Sequence, residues 1–532
     1  MTRSLPDTQR LPRALYRAAQ VRALDQAAIE QAGITAEQLM ERAGAAAFSV
    51  LRARWPQAGA IVVLAGTGNN GGDGYVLARL AHQHRLGVRL LTLGEHDQLS
   101  GPALAAARAY RDAGGSIEPF TRLPPDAELI VDAMLGTGLE RPLTGLWADA
   151  VAQCNAARSP VFALDLPSGL HADSGRVLGI AVEAAVTISF IGLKPGLFTG
   201  RGPDYCGEVC FDALRVPALI YASEIPAARR IDWRQQQRLL PRRRRSAHKG
   251  DLGFLLVVGG AAGMSGAPRL AGEAALRVGA GRVAIATHPA HAAVLNLGRP
   301  ELMVHGVAET DALGTRPETA LETGLDRVSE LTLENALARA SVVVLGPGLG
   351  QKTWGQALYQ RVLAAAMPLV LDADGLNLLA QAPQRRDDWV LTPHSGEAAR
   401  LLGWSVAEVE ADRLEAVRQL QERYGGVAVL KGAGSLIQGP GPRPRALCSE
   451  GNPGMASAGM GDVLTGIIAA LLGQGLEPVL AAEVGVCLHA AAGDRAARRG
   501  ERGLIASDLI AALQPLLGLA ERRSCVPRDD DA

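Results

Sequence analysis

A glycine-rich turn near the end of the chain carries the clearest indication of chemistry. The stretch 452–466 reads NPGMASAGMGDVLTG, and its turn leads directly into the apolar run Val463–Leu472. Backbone N–H groups at a helix start are unpaired and partly positive, so they favour an anion, and glycine lets the backbone approach a phosphate closely. Asp462 stands at this junction, where an anion would repel its carboxylate unless the carboxylate accepts a proton. The turn therefore predicts a phosphate site with its own base, which indicates phosphoryl transfer.

Three loops in the first half of the chain share one pattern, a strand that ends in polar residues and is followed by glycines. They are GTGNNGGDGYVLARL (66–80), VDAMLGTGLERPLTG (131–145) and ALDLPSGLHADSG (163–175). In an open parallel sheet, ligands bind at the carboxyl ends of the strands. The polar residues that would converge there are Asn70, Asp132, Asp165 and Ser168. The alternative is that each of them only caps the helix that follows, but three such loops in succession favour a ligand site.

The second half of the chain repeats this arrangement in further loops. They are HKGDLGFLLVVGG (248–260), GMSGAP (263–268), LGPGLG (345–350), LDADGLN (371–377), LTPHSGEAARLL (391–402) and VLKGAGS (429–435). Lys431 beside glycine N–H groups suits a nucleotide phosphate, and a helix-start aspartate suits removal of a hydroxyl proton. Structural alternatives exist: His394 could be a helix-start hydrogen-bonding group, Lys431 a solvated lysine, and Glu397 a favourable charge for the helix dipole. Each of these residues lies at a predicted strand end or helix start, and together they favour a second active site.

Short apolar strands that alternate with helices must position these loops, which predicts two α/β domains built on mostly parallel sheets. A helical region is predicted over Ala18–Leu51 and a helix from about Gly74 to His84. Strands of the first half are predicted at Ala60–Ala65, Val88–Leu93, Leu129–Ala133 and Val161–Leu166. Strands of the second half are predicted at Phe254–Val258, Arg282–Ala286, Val342–Leu345, Leu369–Leu371 and Val427–Leu430. The halves share no period, so they are interpreted as different domains rather than a duplication.

Composition limits the class of protein. The 532 residues exceed one ordinary core, and 48% are hydrophobic although only 4% are aromatic, which favours two aliphatic cores. A formal net charge of +0 gives no reason to expect bulk attraction to nucleic acid or a membrane. The chain shows neither an apolar stretch of membrane-spanning length nor the core of a signal peptide, so a cytoplasmic location is expected. Cys206 and Cys210 are interpreted as buried free thiols, because no second pair completes a zinc set.

A charged segment, Ala222–Gly250, separates the two halves and interrupts the α/β pattern. It contains the four-arginine run Arg242–Arg245. Such a run could bind nucleic acid or serve as a targeting signal, but the zero net charge favours a solvated interdomain linker.

The first-half loops resemble, in sequence order, those of the NAD(P)H-hydrate epimerase domain of bacterial YjeF-type fusion proteins. The motifs NNGGDG, DAMLGTG and DLPSG carry this resemblance. It implies a Rossmann-like three-layer α/β/α domain that interconverts the R and S forms of hydrated NADH and NADPH. Because an aspartate at a strand end can accept a proton, Asp165 is the predicted residue for the proton transfer. The resemblance also implies a potassium ion ligated by Asn70, Asp132 and Ser168. The substrate-binding residues that it implies are Asn69, Asn70, Gly71, Gly72, Asp73, Gly136, Thr137, Gly138, Leu139, Glu140, Arg141, Pro142 and Asp165.

The second half resembles the ADP/ATP-dependent NAD(P)H-hydrate dehydratase, which has a ribokinase-like fold. The motifs HKGD, GPGLG, LDADGLN, TPH-x-GE, KGAGS and NPGMASAGMGD match it in order. The usual ribokinase-type signature is Gly-Ala-Gly-Asp, whereas residues 459–462 read Gly-Met-Gly-Asp, which argues against an ordinary sugar or vitamin kinase. The resemblance implies substrate contacts from Ala267, Gly348, His394 and Asp462, with Asp462 as the base. The nucleotide-binding residues that it implies are Lys431, Gly432, Ala433, Gly434, Ser435 and Gly461.

Together the resemblances imply a bifunctional enzyme of nicotinamide nucleotide repair, with an epimerase domain at 1–225 and a dehydratase domain at 226–521. The dehydratase would use ADP, with Mg²⁺, to phosphorylate the S hydrate, and loss of phosphate would restore the reduced nucleotide. The implied partners are the hydrates NADHX and NADPHX and ADP, without nucleic acid or membrane, in a homo-oligomer. Two alternatives stay open: a small-molecule kinase with a stable phosphate ester as product, and a first half that is only a ligand-binding or assembly module.

Overall fold

The computed structural model describes residues 11–94, 98–314 and 333–523. The chain divides into two compact units, Met1–Arg230 and Ile231–Ala532, and both combine a β-sheet with helices. The predicted class, two α/β domains, is confirmed. The limits predicted for the two activities, 1–225 and 226–521, stay a prediction. Among the helices that the structure describes, none has the length and apolar character needed to cross a membrane.

Strands and helices alternate along the first unit. Its strands are β1 (Ala14–Leu15), β2 (Ala60–Ala65), β3 (Gly87–Thr92), β4 (Ile117–Pro119), β5 (Leu129–Ala133), β6 (Val161–Leu164), β7 (Val186–Phe190), β8 (Glu208–Asp212) and β9 (Ala228–Ile231). Its helices are α1 (Ala18–Ala32), α2 (Ala36–Arg54), α3 (Asn69–Gln83), α4 (Gly101–Asp112), α5 (Gly145–Ala156) and α6 (Gly202–Tyr205), with 3₁₀ turns at Pro195–Leu197 and Ile220–Ser223. β1 and β9 form an antiparallel pair.

The other described strands of this unit form one parallel sheet in the order β4-β3-β2-β5-β6-β7-β8. Ile61 and Val63 of β2 are buried in a core with α2, α3 and α4, whereas Val62 and Leu64 are buried in a second core with α5. Because successive strand residues point to opposite faces, helices cover both faces and the domain has three layers. The strand order reverses between β2 and β5, so their polar loops flank the crevice where such folds bind ligands.

The second unit also alternates strands and helices. Its strands are β10 (Phe254–Val258), β11 (Arg282–Thr287), β12 (Leu302–Gly306), β13 (Val342–Leu345), β14 (Leu369–Leu371), β15 (Trp389–Leu391), β16 (Val427–Leu430), β17 (Ser435–Gln438) and β18 (Arg445–Cys448). Its helices are α7 (Trp233–Gln236), α8 (Gly266–Val278), α9 (Pro289–Ala292), α10 (Glu309–Ala312), α11 (Leu333–Arg339), α12 (Thr353–Ala364), α13 (Asp374–Gln381), α14 (Ser395–Leu402), α15 (Val406–Ala411), α16 (Arg413–Tyr424), α17 (Met460–Gly473), α18 (Pro478–Ala496) and α19 (Ala506–Arg523). The 3₁₀ turns are Gln237–Leu239, Pro453–Met455 and Ala497–Arg499.

The strands of the second unit lie in the order β18-β17-β16-β15-β14-β13-β10-β11-β12. Those from β16 to β12 are parallel, and β17 and β18 run antiparallel to their neighbours. The order reverses between β13 and β10. This reversal places the GPGLG loop after β13 and the GMSGAP loop after β10 on either side of a second crevice.

Helix α17 begins at the glycine-rich turn and is buried along most of its length. It packs against α8 at Gly466, where an added Cβ would overlap the backbone carbonyl oxygen of Ala271. The two helices therefore meet backbone to backbone, which only glycine allows at this position. This contact fixes the start of α17, and Asp462 with it, against the sheet.

Most predicted elements agree with the structure. The strands predicted with both ends correct are β2, β5, β10, β13, β14 and β16, while β3, β6 and β11 differ by one or two residues. The helical region predicted over Ala18–Leu51 is confirmed, and one helix start is wrong. The region Ala18–Leu51 contains two helices, because Gly33 adopts a left-handed φ of 66° that ends α1. Helix α3 begins at Asn69, not near Gly74, so NNGGDG forms its first turns; Gly71 fits there because an added Cβ would overlap the Gly66 carbonyl.

The predicted solvated linker, Ala222–Gly250, is only partly correct. Its first half is ordered as β9 and α7, and Ile231 and Trp233 are buried in the core of the second unit. The run Arg242–Arg245 is exposed. Arg243 donates hydrogen bonds to the Gly279 carbonyl and to the Gln474 side chain, both at 2.9 Å.

Substitution of Gly466 by alanine should destabilise the second unit by about 2 kcal/mol, because the new methyl group would force α8 and α17 apart. Urea unfolding followed by circular dichroism measures this loss. Gly518→Ala in α19 is the matched control: nothing lies within 4 Å of its Cβ position, so alanine should stabilise that helix by up to about 1 kcal/mol. Equal unfolding midpoints for the two variants would contradict the packing described.

Candidate active sites

A buried carboxylate joins two of the polar loops in the first unit. Asp132 of β5 is fully buried. Its Oδ1 accepts hydrogen bonds from the Ser168 hydroxyl at 2.6 Å and from the Met134 N–H at 3.2 Å, and its Oδ2 accepts from the Ser168 N–H at 2.8 Å. Burial raises the pKa of Asp132 to about 6, although these hydrogen bonds act to lower it. The loops after β5 and β6 are thereby held together.

Asp165 follows β6 and forms an ion pair that the sequence did not predict. Its φ of 63° lies in the left-handed region, which costs a non-glycine residue roughly 1–2 kcal/mol. Its Oδ1 accepts a short hydrogen bond from Nζ of Lys194, a completely buried side chain that follows β7. Lys194 also donates to the Ser189 hydroxyl at 3.0 Å and to the Phe190 carbonyl at 3.4 Å. The ammonium group is therefore held in one place beside the Asp165 carboxylate.

A cavity of about 540 Å³ opens at this carboxyl edge of the first sheet. Gly136 lies between two of the motifs, because an added Cβ would be 3.1 Å from Asp165 Oδ2 and 3.6 Å from Asn70 Cγ. The Asn70 carboxamide is buried and has no hydrogen-bond partner among the described residues. The predicted substrate-binding residues that line the cavity are Asn69, Asn70, Asp73, Gly136, Thr137, Gly138, Leu139 and Asp165.

Five predicted substrate-binding residues do not belong to this cavity lining. Gly71 packs against the backbone of Gly66, and Gly72 packs against the Met40 side chain, so both allow α3 to approach its neighbours. The remaining three are Glu140, Arg141 and Pro142, which follow the lining segment of the same loop.

Two more acids share the cavity with Asp165. Asp25 of α1, which the sequence did not predict, has its pKa raised to about 6 by burial and by Asp165, against the lowering effect of Lys194. Burial, together with repulsion from Asp165 and Asp25, raises the pKa of Asp73 well above its usual value. Acids that titrate near neutral pH can exchange protons with a bound ligand.

The second unit holds a similar ion pair. Asp372 follows β14 and is buried, and its Oδ1 accepts a hydrogen bond from Lys431 Nζ at 2.7 Å. The Thr465 hydroxyl of α17 donates to Oδ2 at 2.9 Å. Burial alone would raise the pKa of Asp372, but Lys431 and Thr465 outweigh it and hold this pKa below its usual value. Glu397 lies 3.8 Å from Lys431 Nζ, and with Asp372 it raises the lysine pKa against the effect of burial.

Asp462 lies in the first turn of α17, beside this ion pair. The preceding Gly459 starts the helix with a left-handed φ of 88°. Gly461 faces the pair, since an added Cβ would lie 3.2 Å from Lys431 Nζ and 3.4 Å from Asp372 Oδ2. Burial and the nearby carboxylate of Asp372 raise the pKa of Asp462 to about 7, although Lys431 lowers it. The two aspartates thus differ: one stays ionised, and the other can gain or lose a proton near neutral pH.

His394 has the structural role that the sequence left open. It caps α14, where its Nδ1 accepts hydrogen bonds from the N–H groups of Gly396 at 2.9 Å and Glu397 at 3.4 Å. The Glu397 side chain in turn accepts a hydrogen bond from the His394 N–H at 2.8 Å. Because Nδ1 accepts, the ring proton belongs on Nε2. The Lys431 N–H donates to the Pro393 carbonyl at 2.9 Å, so the histidine loop and the lysine loop are adjacent.

Gly348 and Ala267 meet at the crevice between β13 and β10. The Gly348 carbonyl accepts a hydrogen bond from the Ala261 N–H at 2.7 Å. Gly348 has a left-handed φ of 60°, and an added Cβ would lie 2.8 Å from the Met264 carbonyl and 3.4 Å from Ala267 Cβ. The structure therefore brings this predicted pair together, at the loop crossing where a ligand can approach the backbone.

The KGAGS segment forms the turn between β16 and β17. The Ser435 hydroxyl lies 3.3 Å from the Gly432 N–H and 3.0 Å from the Gly432 carbonyl, which closes the turn. The buried side chain of Arg413 stabilises this turn. It donates a hydrogen bond to the Lys431 carbonyl at 3.1 Å and forms an ion pair with Glu410 at 2.8 Å.

The residues that the sequence missed are Asp25, Lys194, Thr465 and Arg413. Composition carried one usable indication. Of 54 lysines and arginines only four are lysines, at positions 194, 249, 352 and 431. A compact ammonium can be buried beside one carboxylate, whereas a guanidinium needs more partners, and the two lysines that follow buried strands are the two that form buried ion pairs.

Comparison with known proteins assigns the chain to a family. Residues 36–196 match the family described as YjeF-related protein N-terminus, and residues 255–515 match the NAD(P)H-hydrate dehydratase family. The bifunctional NAD(P)H-hydrate repair enzyme Nnr of Coxiella burnetii is 47% identical over 505 residues, which cover 94% of this chain and 99% of that protein. The chain belongs to the family of bifunctional NAD(P)H-hydrate repair enzymes. The Escherichia coli repair enzyme Nnr is 44% identical over 95% of this chain and 94% of its own length, so the resemblance predicted from the motifs is confirmed.

Two solved structures are similar to part of this chain. The ADP/ATP-dependent NAD(P)H-hydrate dehydratase from Bacillus subtilis, co-crystallised with ATP and Mg²⁺, is 28% identical and covers 54% of this chain and 97% of its own, with a TM-score of 0.46. A ribokinase-like superfamily protein from Enterococcus faecalis is 26% identical and covers 56% of this chain and 98% of its own, with a TM-score of 0.48.

Lys194→Met should destabilise the first unit of the repair enzyme by about 3–5 kcal/mol, because it leaves the Asp165 carboxylate without its buried partner. Thermal unfolding of the variant measures this. The double variant Lys194→Met with Asp165→Asn should recover much of the loss, since the uncompensated charge is gone. A double variant no more stable than Lys194→Met alone would show that the ion pair does not determine the stability of this site.

Proposed function

We propose that this repair enzyme epimerises the R and S hydrates of NADH and NADPH in its first unit and dehydrates the S hydrate in its second, at the expense of ADP. Similarity to repair enzymes over 94% of the chain supports both activities. The observation that carries the residue-level proposal is a shared arrangement: each unit has a Lys–Asp ion pair beside an acid whose pKa is raised toward neutrality. Such acids can move protons at physiological pH.

In the first unit, Asp165 would transfer the proton that epimerisation requires. The buried ammonium of Lys194 would hold its carboxylate in position, and Asp25 would supply an exchangeable proton in the same cavity. The proposed substrate contacts that line the cavity are Asn69, Asn70, Asp73, Gly136, Thr137, Gly138, Leu139 and Asp165. The contacts Gly71, Gly72, Glu140, Arg141 and Pro142 lie outside this lining and stay predictions. The cavity lining supports the first part of the 136–142 loop more directly than its end.

Asn70, Asp132 and Ser168 would hold a potassium ion in this unit. Oxygen atoms are the ligands that such a hard cation prefers. The unpartnered Oδ1 of Asn70 and the close Asp132–Ser168 pair support the site. A bound ion would supply positive charge beside the buried Asp132 carboxylate.

In the second unit, Asp462 would take the proton of the substrate hydroxyl while the hydroxyl oxygen attacks the terminal phosphorus of ADP and AMP leaves. The phosphorylated intermediate would then lose phosphate and a ring proton, so that NAD(P)H, AMP and phosphate are the products. Glycine N–H groups at the start of α17 would stabilise charge on the moving phosphoryl group. The proposed contacts with the hydrate are Ala267, Gly348, His394 and Asp462.

Lys431 would anchor the nucleotide phosphates through its ammonium, since it is already oriented by Asp372. The other proposed nucleotide contacts are Gly432, Ala433, Gly434, Ser435 and Gly461. Mg²⁺ enters the proposal as the companion of the nucleotide phosphates. The choice of ADP over ATP and the homo-oligomeric state stay predictions.

One assay tests the proposal as a whole. Mixed R and S hydrates of NADH or NADPH are incubated with the enzyme and ADP or ATP, and the absorbance of the reduced nicotinamide is followed. Complete recovery of the absorbance requires both activities. Recovery of only the share that the S hydrate contributes would exclude the epimerase activity. An accumulating phosphorylated compound without recovered absorbance would instead indicate an ordinary kinase.

Asp165→Asn should slow R-hydrate epimerisation at least about 100-fold, because the amide cannot accept the proton. The rate at which R hydrate is consumed measures the effect, with ADP at saturation so that the second unit removes S hydrate as it forms. Repair of the S hydrate is the internal control and should not change. If this variant epimerised the R hydrate at the wild-type rate, Asp165 would be excluded as the base.

Asp462→Asn should lower dehydration by about 100-fold or more while the nucleotide still binds, because the variant removes the base but not the Lys431 turn. Turnover of S hydrate and titration of ADP by calorimetry give the two quantities. Near-normal turnover would refute the assignment, and simultaneous loss of ADP binding would show damage to the site rather than to the base.

The pH profile of the wild-type enzyme gives a second readout for the same residue. A base must be deprotonated, and burial raises the pKa of Asp462 to about 7. The value of kcat/KM should therefore rise with pH through about 7 and level off above it. The residual activity of Asp462→Asn should lack this rise.

A further inference from the structure

A further cavity lies in the second unit and has no assigned role. It is open, has a volume of about 520 Å³, and is lined by Gln351, Asn377, Ala380, Gln381 and Arg400. Arg400 is the one charged residue in this lining, and it supplies a positive charge at the cavity wall. Neutral amide groups form most of the remaining wall, and these can donate hydrogen bonds to an anion.

Asp374 holds this amide wall in a fixed orientation. Its Oδ1 accepts from the side-chain amides of Gln351 at 3.1 Å and Asn377 at 3.3 Å, and its Oδ2 accepts from the Gly350 N–H at 2.9 Å. The Gln381 amide in turn donates to Gln351 Oε1 at 3.1 Å. The Asp374 carboxylate thus accepts hydrogen bonds from three donors, which hold the side chains of Gln351 and Asn377 in place.

Arg400 is oriented but not neutralised. Its Nε donates to Asn377 Oδ1 at 2.9 Å, which fixes the plane of the guanidinium group. Among the described residues, no hydrogen bond or ion pair joins its terminal amino groups to another residue, and the residue is exposed. An oriented guanidinium with free N–H groups matches the geometry of a phosphate.

The cavity lies next to the proposed hydrate site on two sides. Gly350, whose N–H belongs to the amide wall, is two residues after Gly348. On the other side, Arg400 Nη1 is 4.0 Å from the Cβ position of Gly396, the residue whose N–H donates to the His394 ring. A hydrate that contacts Gly348 and His394 with its nicotinamide end can therefore extend its remaining part over this cavity.

We propose that this cavity is a phosphate-binding subsite for the dinucleotide substrate, with Arg400 as the residue that contacts the phosphate. The inference rests on the proposed function of the second unit and extends it. The phosphate has two possible sources on one ligand: the pyrophosphate bridge, which both hydrates contain, and the 2′-phosphate, which only the NADPH hydrate contains.

Steady-state kinetics of Arg400→Gln with S-NADHX and S-NADPHX tests this subsite. Loss of a charge-assisted contact should raise KM about tenfold and leave kcat within about twofold. A rise for both substrates identifies the pyrophosphate, and a rise for S-NADPHX alone identifies the 2′-phosphate. Arg400→Lys should restore part of the affinity, and raised KCl should weaken wild-type binding more than binding by Arg400→Gln.

Arg277→Gln is the matched control. Arg277 is also an exposed arginine in the last turn of a helix that ends at a left-handed glycine, as Arg400 is, but it does not line the cavity. Its KM values should equal those of the wild type. If Arg400→Gln behaves like Arg277→Gln with both substrates, the subsite proposal is wrong. If the wild-type protein itself restores no reduced nicotinamide from S hydrates, the proposed function fails instead.

Discussion

A buried ammonium group must be paired with a carboxylate, and this requirement organises the functional edge of both units. An unpaired charge of this kind costs several kcal/mol to bury. Lys194 meets Asp165 in the first unit, and Lys431 meets Asp372 in the second. Each pair joins loops that follow different strands, so it fixes the distance between segments that are far apart in the sequence. The remaining polar residues of each site are arranged around this fixed point.

The ion pair also divides the acids into two kinds. Asp372 stays ionised because Lys431 and Thr465 stabilise its charge, whereas the neighbouring Asp462 is pushed toward neutrality by burial and by the charge of Asp372. Two aspartates on adjoining elements therefore take different roles: one orients the lysine, and the other can accept a proton. In the first unit, the raised pKa values of Asp25 and Asp73 beside Asp165 follow the same electrostatic logic.

Much of the fold could be predicted because buried parallel strands have a local signature. The apolar runs at β2, β5, β10, β13, β14 and β16 are short and are bounded by polar or glycine residues, so their ends follow from the sequence. The start of helix α3 does not follow from the sequence in the same way. NNGGDG looked like a loop because glycine disfavours helices, but in α3 the glycines are required where the helix approaches the backbone of Gly66 and the Met40 side chain. Packing outweighed propensity there.

The sequence by itself determined the family, the α/β class, and the loops that carry the chemistry, because these depend on motifs whose residues are adjacent in the chain. It also indicated Asp462 as the candidate base, because this residue lies within the glycine-rich turn itself. Only the tertiary structure decided which of several polar residues meet. Lys194 lies 29 residues from Asp165, and Thr465 lies 93 residues from Asp372, so no local pattern links them. Their pairing results from the order of strands in the sheet, and the electrostatics of the glycine turn around Asp462 depends on that order as well.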